Sequence, residues 1–371
     1  MAKNYMHTAE ELRQLQALPL KDKVKISRER IREWYEHWDG QVYISYSGGK
    51  DSNALLHLVR SMYPDVPAVF INTGLEFPEV QEFVKNTDNV IIFRPKMTFR
   101  DVIIEYGYPV ISKNVASSIE YARRFDMSGH GRKDFWEEKM MVYAPKKGTM
   151  QVSRYCKARH RQLAEEAPFK ISDRCCNVMK KKTAHDYSKE SGRKPFLGTM
   201  TEESMLRENA WLTTGCNAFS RSGTPTSTPM AFWVQNDVLE YIKVMGIKIP
   251  SVYGDIVEEI STEKCSDCIK YKTTGLDRTG CVYCGFGAHC EKKVHRYLLL
   301  KESHPRLYEY CIKGGEWVDN PSYDPSIPEY ADDGFRNWNP PKLWQPSKDG
   351  LGMGYVFDFI NALPGKAYIP Y

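Results

Sequence analysis

The chain predicts an α/β fold: a Rossmann-like domain with a parallel sheet and helices on both faces, followed by a cysteine-rich C-terminal region. Three observations carry this. Short apolar runs alternate with helix-patterned stretches from residue 41 onward, the rhythm of β-α-β units. A glycine-rich turn, Ser47-Gly48-Gly49-Lys50-Asp51-Ser52, joins the first such run to the first such helix. Beyond about residue 250 periodicity fades and Cys, Tyr, Trp and Pro dominate.

In chain order, residues 8–39 read as a lead-in helix pair. Thr8 and Glu11 form a possible capping box, and Val24, Ile31, Trp34 and Trp38 supply an apolar face. QVYISYS (41–47) reads as a strand and ALLHLVRSMY as a helix; PAVFINT (67–73) and PEVQEFVKNT (78–87) repeat the pair. NVIIFRP (89–95) is a third strand, FLGTM (196–200) a fourth, and VLEYIKVMG (238–246) a late helix. The polar stretch 125–155 reads as an insertion or substrate loop. Three segments are therefore expected: 1–40 helical, 41–250 α/β around the glycine-rich turn, and 251–371 Cys-rich and metal-binding.

The 371 residues are 42% hydrophobic and 27% charged, ordinary for a soluble globular chain with a sizeable core. No apolar run approaches the roughly 20 residues of a membrane span, and MAKNYMHTAEELRQL reads as neither a signal nor a transit peptide. A cytoplasmic, membrane-independent protein is expected. The net charge of +5 is mild, but basic residues cluster. Lys21, Lys23, Lys25, Arg28, Arg30 and Arg32 form one group. Lys146, Lys147, Arg154, Lys157, Arg159 and Arg161 form another, and Lys180–Lys182 a third. Solvated helix faces that help to hold a small polyanion, or a nucleic-acid surface, both fit these clusters.

The placement of the turn matters more than its letters. At a helix start the backbone N–H groups are unpaired and the dipole is positive, so an anion is stabilised there. Gly48 and Gly49 allow a sharp turn and close approach of the backbone. Ser47 and Ser52 offer hydroxyls, Lys50 a compact positive charge, and Asp51 a carboxylate that holds a metal ion or orients the loop. The spacing is not that of GxxxxGK[ST].

SGGKDS after an apolar strand, followed by INTGLEFPEV, resembles the PP-loop adenine-nucleotide α-hydrolase superfamily and within it the phosphoadenosine phosphosulfate (PAPS) reductase family. The resemblance runs from about residue 41 to 290. It implies nucleotide binding by Ser47, Gly48, Gly49, Lys50, Asp51 and Ser52, with Lys50 and Asp51 catalytic, and a pocket lined by Thr73, Gly74 and Glu76. Cys175-Cys176 with Lys180 is similar to the family's CCxxxK element. Glu203, Ser204 and Arg207 resemble the end of GxRxxESxxR, with Met200 where its first Arg would stand. Pro229, Trp233, Asp237, Val238 and Ile242 resemble the segment that closes the domain.

Ten cysteines in a chain expected to be cytosolic point to metal binding or catalysis rather than disulfides. Two ligand sets compete. Cys265, Cys268, Cys281 and Cys284 have the spacing of a tetrahedral Zn²⁺ site. The resemblance favours Cys175, Cys176, Cys281 and Cys284 around a [4Fe–4S] cluster, since cluster-bearing sulfonucleotide reductases use a CC pair and a distant CxxC. A three-thiolate cluster on Cys176, Cys281 and Cys284 is a variant, with Cys216 or Cys290 as a further ligand. Cys156 and Cys311 read as buried thiols. His57 reads as a residue of a surface or packing face. His130 is a candidate substrate contact, His289 a candidate ligand and Lys113 a candidate phosphate contact. Trp317, Trp338 and Trp344 read as packing residues, with base stacking the alternative.

The family's reductases use a C-terminal Cys in an ECGxH-like motif, and no cysteine follows Cys311 here. The reading that results is an enzyme taking ATP and Mg²⁺, adenylating an acceptor (nucleic acid among the candidates) and transferring sulfur with an Fe–S centre and a sulfur-donor protein. A PAPS or APS reductase is the first alternative. A zinc-stabilised regulatory or defence module that binds a nucleotide is the second.

Overall fold

β-branched and aromatic residues crowd the short runs that become strands, and those runs are buried. In the computed structural model, which describes residues 5–123, 141–144, 149–152, 158–219, 224–261, 268–291, 295–330, 336–365 and 368–371, β1 (Val42–Tyr46) lies inside a six-stranded sheet. It pairs in parallel with β2 (Ala68–Ile71), Ile44 opposite Ala68, and on its other side with Lys194–Leu197, Ile44 opposite Phe196. β3 (Val90–Phe93) pairs in parallel with β2 and ends the sheet, which explains the exposure of Ile91 and Ile92. Thr226–Ser227 continues the sheet in parallel beyond Lys194–Leu197, and Asn217–Ala218 closes it antiparallel. The sheet is thus mostly parallel and flanked by helices, as the alternating pattern predicts. The fourth strand begins two residues earlier than expected.

The expected capping box is present. Thr8 N–H donates to Glu11 Oε2 at 3.0 Å and Glu11 N–H to Thr8 Oγ1 at 3.1 Å, starting α1 (Ala9–Gln16). α2 (Leu20–His37) buries Ile31, Trp34, Ser27 and also Lys23. The Lys23 ammonium is only 2% exposed and lies 2.6 Å from Asp237 Oδ2, an oxygen that also accepts Val234 N–H at 2.7 Å. Beside it, Ser27 Oγ donates to the Pro229 carbonyl at 2.8 Å and accepts from Trp233 Nε1 at 2.9 Å. The Pro229–Asp237 segment is therefore fastened to α2 by buried polar groups, each satisfied by another. Lys23 is a structural ion, not part of a cationic surface. Arg30 pairs with Glu33 at 2.6 Å, which further thins that cluster.

The chain divides into two compact units: residues 1–95 with 182–280, and 96–181 with 281–371. Their boundaries differ from the three consecutive segments expected, because the sheet of the first unit draws its later strands from beyond residue 194.

In the second unit, helices Phe99–Tyr106, Lys113–Arg123 and Ala158–Glu166 are joined by C-terminal helices Arg296–Ser303, Pro305–Ile312 and Met353–Ala362. The C-terminal region thus has more regular structure than its weak periodicity suggests. Within the stretch expected to be an insertion, Met141–Ala144 and Thr149–Val152 form a hairpin. Arg123 closes the end of the Ala158–Glu166 helix. Its guanidinium donates to the carbonyls of Leu163, Ala164, Phe169 and Ala167 at 2.9, 2.8, 2.7 and 3.1 Å, and stacks 4.2 Å from the Trp338 ring centre. Leu163 and Ala164 belong to the last turn, whose carbonyls a helix leaves unpaired, and Ala167 and Phe169 to the loop that follows it. Arg123→Ala is expected to lower unfolding stability by about 2–4 kcal/mol. A urea midpoint within error of wild type would show the cap to be dispensable.

Trp338 Nε1 donates to the Ala167 carbonyl at 2.7 Å, and Trp317 and Trp344 pack against Tyr355. These contacts are the packing role expected of the three tryptophans. Cys311 is fully buried, and His57 bonds Tyr241 at 2.9 Å. Both match their expected packing roles.

Candidate functional site

β1 ends and α3 (Lys50–Arg60) begins at the SGGKDS turn. Gly48 has φ +71°, and a Cβ there would stand 2.7 Å from Val84 Cγ2 and 2.8 Å from Val80 Cγ1. Both valines belong to α4 (Pro78–Lys85). The turn is therefore pressed onto α4 where only glycine fits. Serine and asparagine side chains hold its shape. Ser52 Oγ donates to the Gly49 carbonyl at 2.8 Å and lies 3.1 Å from Ser47 Oγ. Asn53 Nδ2 donates to the Gly48 carbonyl at 2.9 Å, and Tyr46 OH donates to Asn53 Oδ1 at 2.7 Å. Burial pushes the Tyr46 phenol up to about 12, so it remains a donor at neutral pH.

Lys50 is 1% exposed, and its Nζ lies 3.0 Å from Asp51 Oδ1. The adjacent element is held as tightly. The Glu76 carboxylate accepts Thr73 Oγ1 at 2.5 Å, Thr73 N–H at 3.2 Å and Leu75 N–H at 3.2 Å, while Gly74 takes φ +73°. Glu76 thus shapes the Thr73–Gly74 turn after β2.

Arg207 lies in the first turn of helix Met205–Thr214, whose N-cap Ser204 Oγ accepts Arg207 N–H at 3.3 Å. Its guanidinium contacts Glu203, and Arg278 Nη2 lies 3.7 Å from the other oxygen of Glu203. Burial pulls the Arg207 pKa down and Arg278 adds to this, while Asp51 opposes it. Arg207 is therefore electrostatically coupled to the loop carboxylate. Met200 is buried at 1% exposure and offers no charge in place of the family's arginine.

Three residues here escaped the sequence reading. Tyr253 OH accepts Lys50 N–H at 3.3 Å and lies 3.0 Å from Thr279 Oγ1, with Arg278 next in the chain. Nothing local marks them: Tyr253 stands 203 residues from the group it touches. A cavity of about 630 Å³ in the same unit lies elsewhere, lined by residues such as His7, Trp211, Cys216 and Phe219 and by none of the loop.

In the second unit, Cys175, Cys176, Cys281 and Cys284 interact electrostatically. The Cys176 thiol is held down by a hydrogen bond from Cys175 and by Lys113 and Lys180, and Cys175 is correspondingly raised. Burial pushes Cys284 up to about 11. Lys113 thus stands beside a thiol. It starts its helix just after Ile111, a buried β-branched residue at φ +63° whose strand pairs with Gly285–Phe286, next to the CxxC turn. A β-branched residue with positive φ is strained, and such strain gathers at functional sites.

All four donors are thiols, the chemistry an iron–sulfur cluster takes. Among the described residues, however, no group of three or more His, Cys, Asp or Glu side chains is arranged to hold a metal ion. Cys265 of the zinc alternative, Cys156 and His130 lie outside the described residues, and only the backbone of Cys268 is described. Among the described residues no helix is long and apolar enough to cross a membrane.

Residues 41–112 match the model of the phosphoadenosine phosphosulfate reductase domain. An uncharacterized protein of Methanocaldococcus jannaschii is 26% identical over 140 residues, covering 33% of this chain and 34% of that one. A phosphoadenosine 5'-phosphosulfate reductase of Thiocapsa roseopersicina is 33% identical over 91 residues, covering 23% of this chain and 35% of that enzyme. The match thus spans about a third of the length of these curated relatives. A phosphoadenylyl-sulfate reductase from Candida auris, solved as a phosphate complex, covers 67% of this chain and 92% of its own at a TM-score of 0.35 and 14% identity. The segment that carries the glycine-rich turn, residues 41–112, is thus similar to the phosphoadenosine phosphosulfate reductase domain.

Proposed function

We propose that the chain is an enzyme that binds ATP at the turn Ser47–Ser52 and splits it at the α-phosphate, adenylating an acceptor and releasing pyrophosphate. The observation that supports this most is the construction of the turn: glycine backbone at a helix start, a buried lysine and a nearby arginine, all in one unit. Phosphoryl chemistry needs positioning and charge neutralisation more than covalent help. The loop N–H groups would orient the phosphates, Lys50 and Arg207 would offset their charge, and Asp51 would hold Mg²⁺. Thr73, Gly74 and Glu76 would line the nucleotide pocket. Cys175, Cys176, Cys281 and Cys284 would hold a [4Fe–4S] cluster, which supplies electrons or sulfur to the activated acceptor when bound. Nucleic acid is the acceptor class suggested by the basic residues, and a cytoplasmic sulfur-donor protein completes the reaction.

Reduction of a sulfonucleotide is the second reading, favoured by the activity of the Thiocapsa relative. Calorimetry on anaerobically purified protein separates the two. Mg-ATP is expected to bind at least about tenfold more tightly than PAPS, a difference of about 1.4 kcal/mol. A preference for PAPS would replace the first reading with the second. Iron and acid-labile sulfide measured on the same sample test the cluster: close to four of each per chain is expected, and zinc alone would support the closed structural site instead.

A further inference from the structure

We propose that Arg278 is a second phosphate-recognising guanidinium, which with Arg207 makes the site selective for a nucleoside triphosphate over a monophosphate. This rests on the nucleotide reading above and adds to it a residue and a specificity. Arg207 and Arg278 share one carboxylate, Glu203, so in this group of three side chains two cations meet one anion. The second local ion pair, Lys50 with Asp51, is neutral by itself. Two guanidiniums at one carboxylate repel, and the Arg207 pKa is depressed first by burial and then by Arg278. An anion placed between them removes the repulsion. Planar guanidiniums are suited to phosphate oxygens because they donate in a fixed fork.

Arg278 is tied to the turn through its neighbour. Thr279 Oγ1 lies 3.0 Å from Tyr253 OH and 3.5 Å from where a Gly49 Cβ would stand, and Tyr253 OH itself takes the Lys50 N–H. The Arg278–Thr279 pair therefore sits over the start of α3, where an anion would be stabilised. With its side chain 55% exposed, Arg278 is free to follow a ligand and contributes little to the core. The loop N–H groups would hold the phosphate chain at the start of α3, and the two arginines would add their charge at the terminal phosphates that a monophosphate lacks.

The test is calorimetry of wild type, Arg278→Ala and Arg278→Lys with Mg-ATP and with AMP. For Arg278→Ala the ATP affinity is expected to fall about tenfold to a hundredfold, the range of a lost hydrogen bond to a charged group. AMP affinity is expected to stay within about twofold, and Arg278→Lys to recover part of the ATP affinity. Equal losses for ATP and AMP, or no loss for ATP, would overturn the role of Arg278 while leaving the nucleotide site standing. Wild-type protein that binds neither nucleotide would overturn the nucleotide reading and this inference with it.

Discussion

Replacing Lys23 by methionine is expected to lower the free energy of unfolding by about 3–5 kcal/mol, because it strands a buried carboxylate. The Lys23 and Asp237 side chains are 2% and 10% exposed, so water cannot take the place of the missing partner. Val234 N–H still reaches Asp237 Oδ2 in the variant, but one amide does not replace an ammonium. The double variant Lys23→Met with Asp237→Leu removes both charges and is expected to recover most of the loss. Denaturation followed by tryptophan fluorescence suits the test, since Trp34 and Trp233 lie in the same unit and are fully buried. A loss below about 1 kcal/mol in the single variant would mean that the pair behaves as a surface ion pair.

Gly48→Ala is expected to weaken ATP binding at least about a hundredfold, or about 2.7 kcal/mol. Alanine at φ +71° costs about 1–2 kcal/mol in backbone strain alone. Its Cβ would also enter the space of Val80 and Val84, so the turn or α4 must shift. Either shift misaims the N–H groups at the start of α3 and breaks the Asn53 bond to the Gly48 carbonyl. Nucleotide titration of the folded variant reads the effect directly, and an affinity within about threefold of wild type would mean that the turn's shape is not what holds the ligand. Comparison with Gly192→Ala isolates the cause, since Gly192 has nearly the same φ, +72°, nothing within 4 Å of its Cβ position and no part in the proposed pocket.

The first three strands, α3 and the turn between them were legible in the sequence because each is a local pattern: an apolar run, a glycine pair, a helix with one apolar face. The pairing of Lys194–Leu197 with β1 was not, since a short strand carries no mark of its neighbour. Charge was the least legible feature. Lys23 stands in a run of basic residues and yet is buried against a carboxylate 214 positions away. Tyr253, Arg278 and Thr279 come from a stretch whose composition pointed to metal binding, and they gather at the turn through tertiary contacts instead. The four cysteines expected to ligate do fall in one unit, but spacing alone does not set the arrangement of their sulfurs.

The interleaving of the two units along the chain has a consequence during synthesis. Residues 1–95 carry β1, β2 and β3, but the strand that covers the open side of β1 begins only at Lys194, and the unit ends at Gly280. At roughly 5–20 residues per second, the ribosome takes on the order of ten to forty seconds to deliver the remainder. For about the first half of that interval, until Lys194–Leu197 is made, the nascent chain holds an apolar, half-paired sheet with nothing of its own to cover β1. Such exposed edges attract other chains. A vectorially emerging polypeptide of this order therefore depends on holding chaperones more than one whose domains follow each other end to end, and slowed translation just before Lys194 is expected to increase its co-translational aggregation.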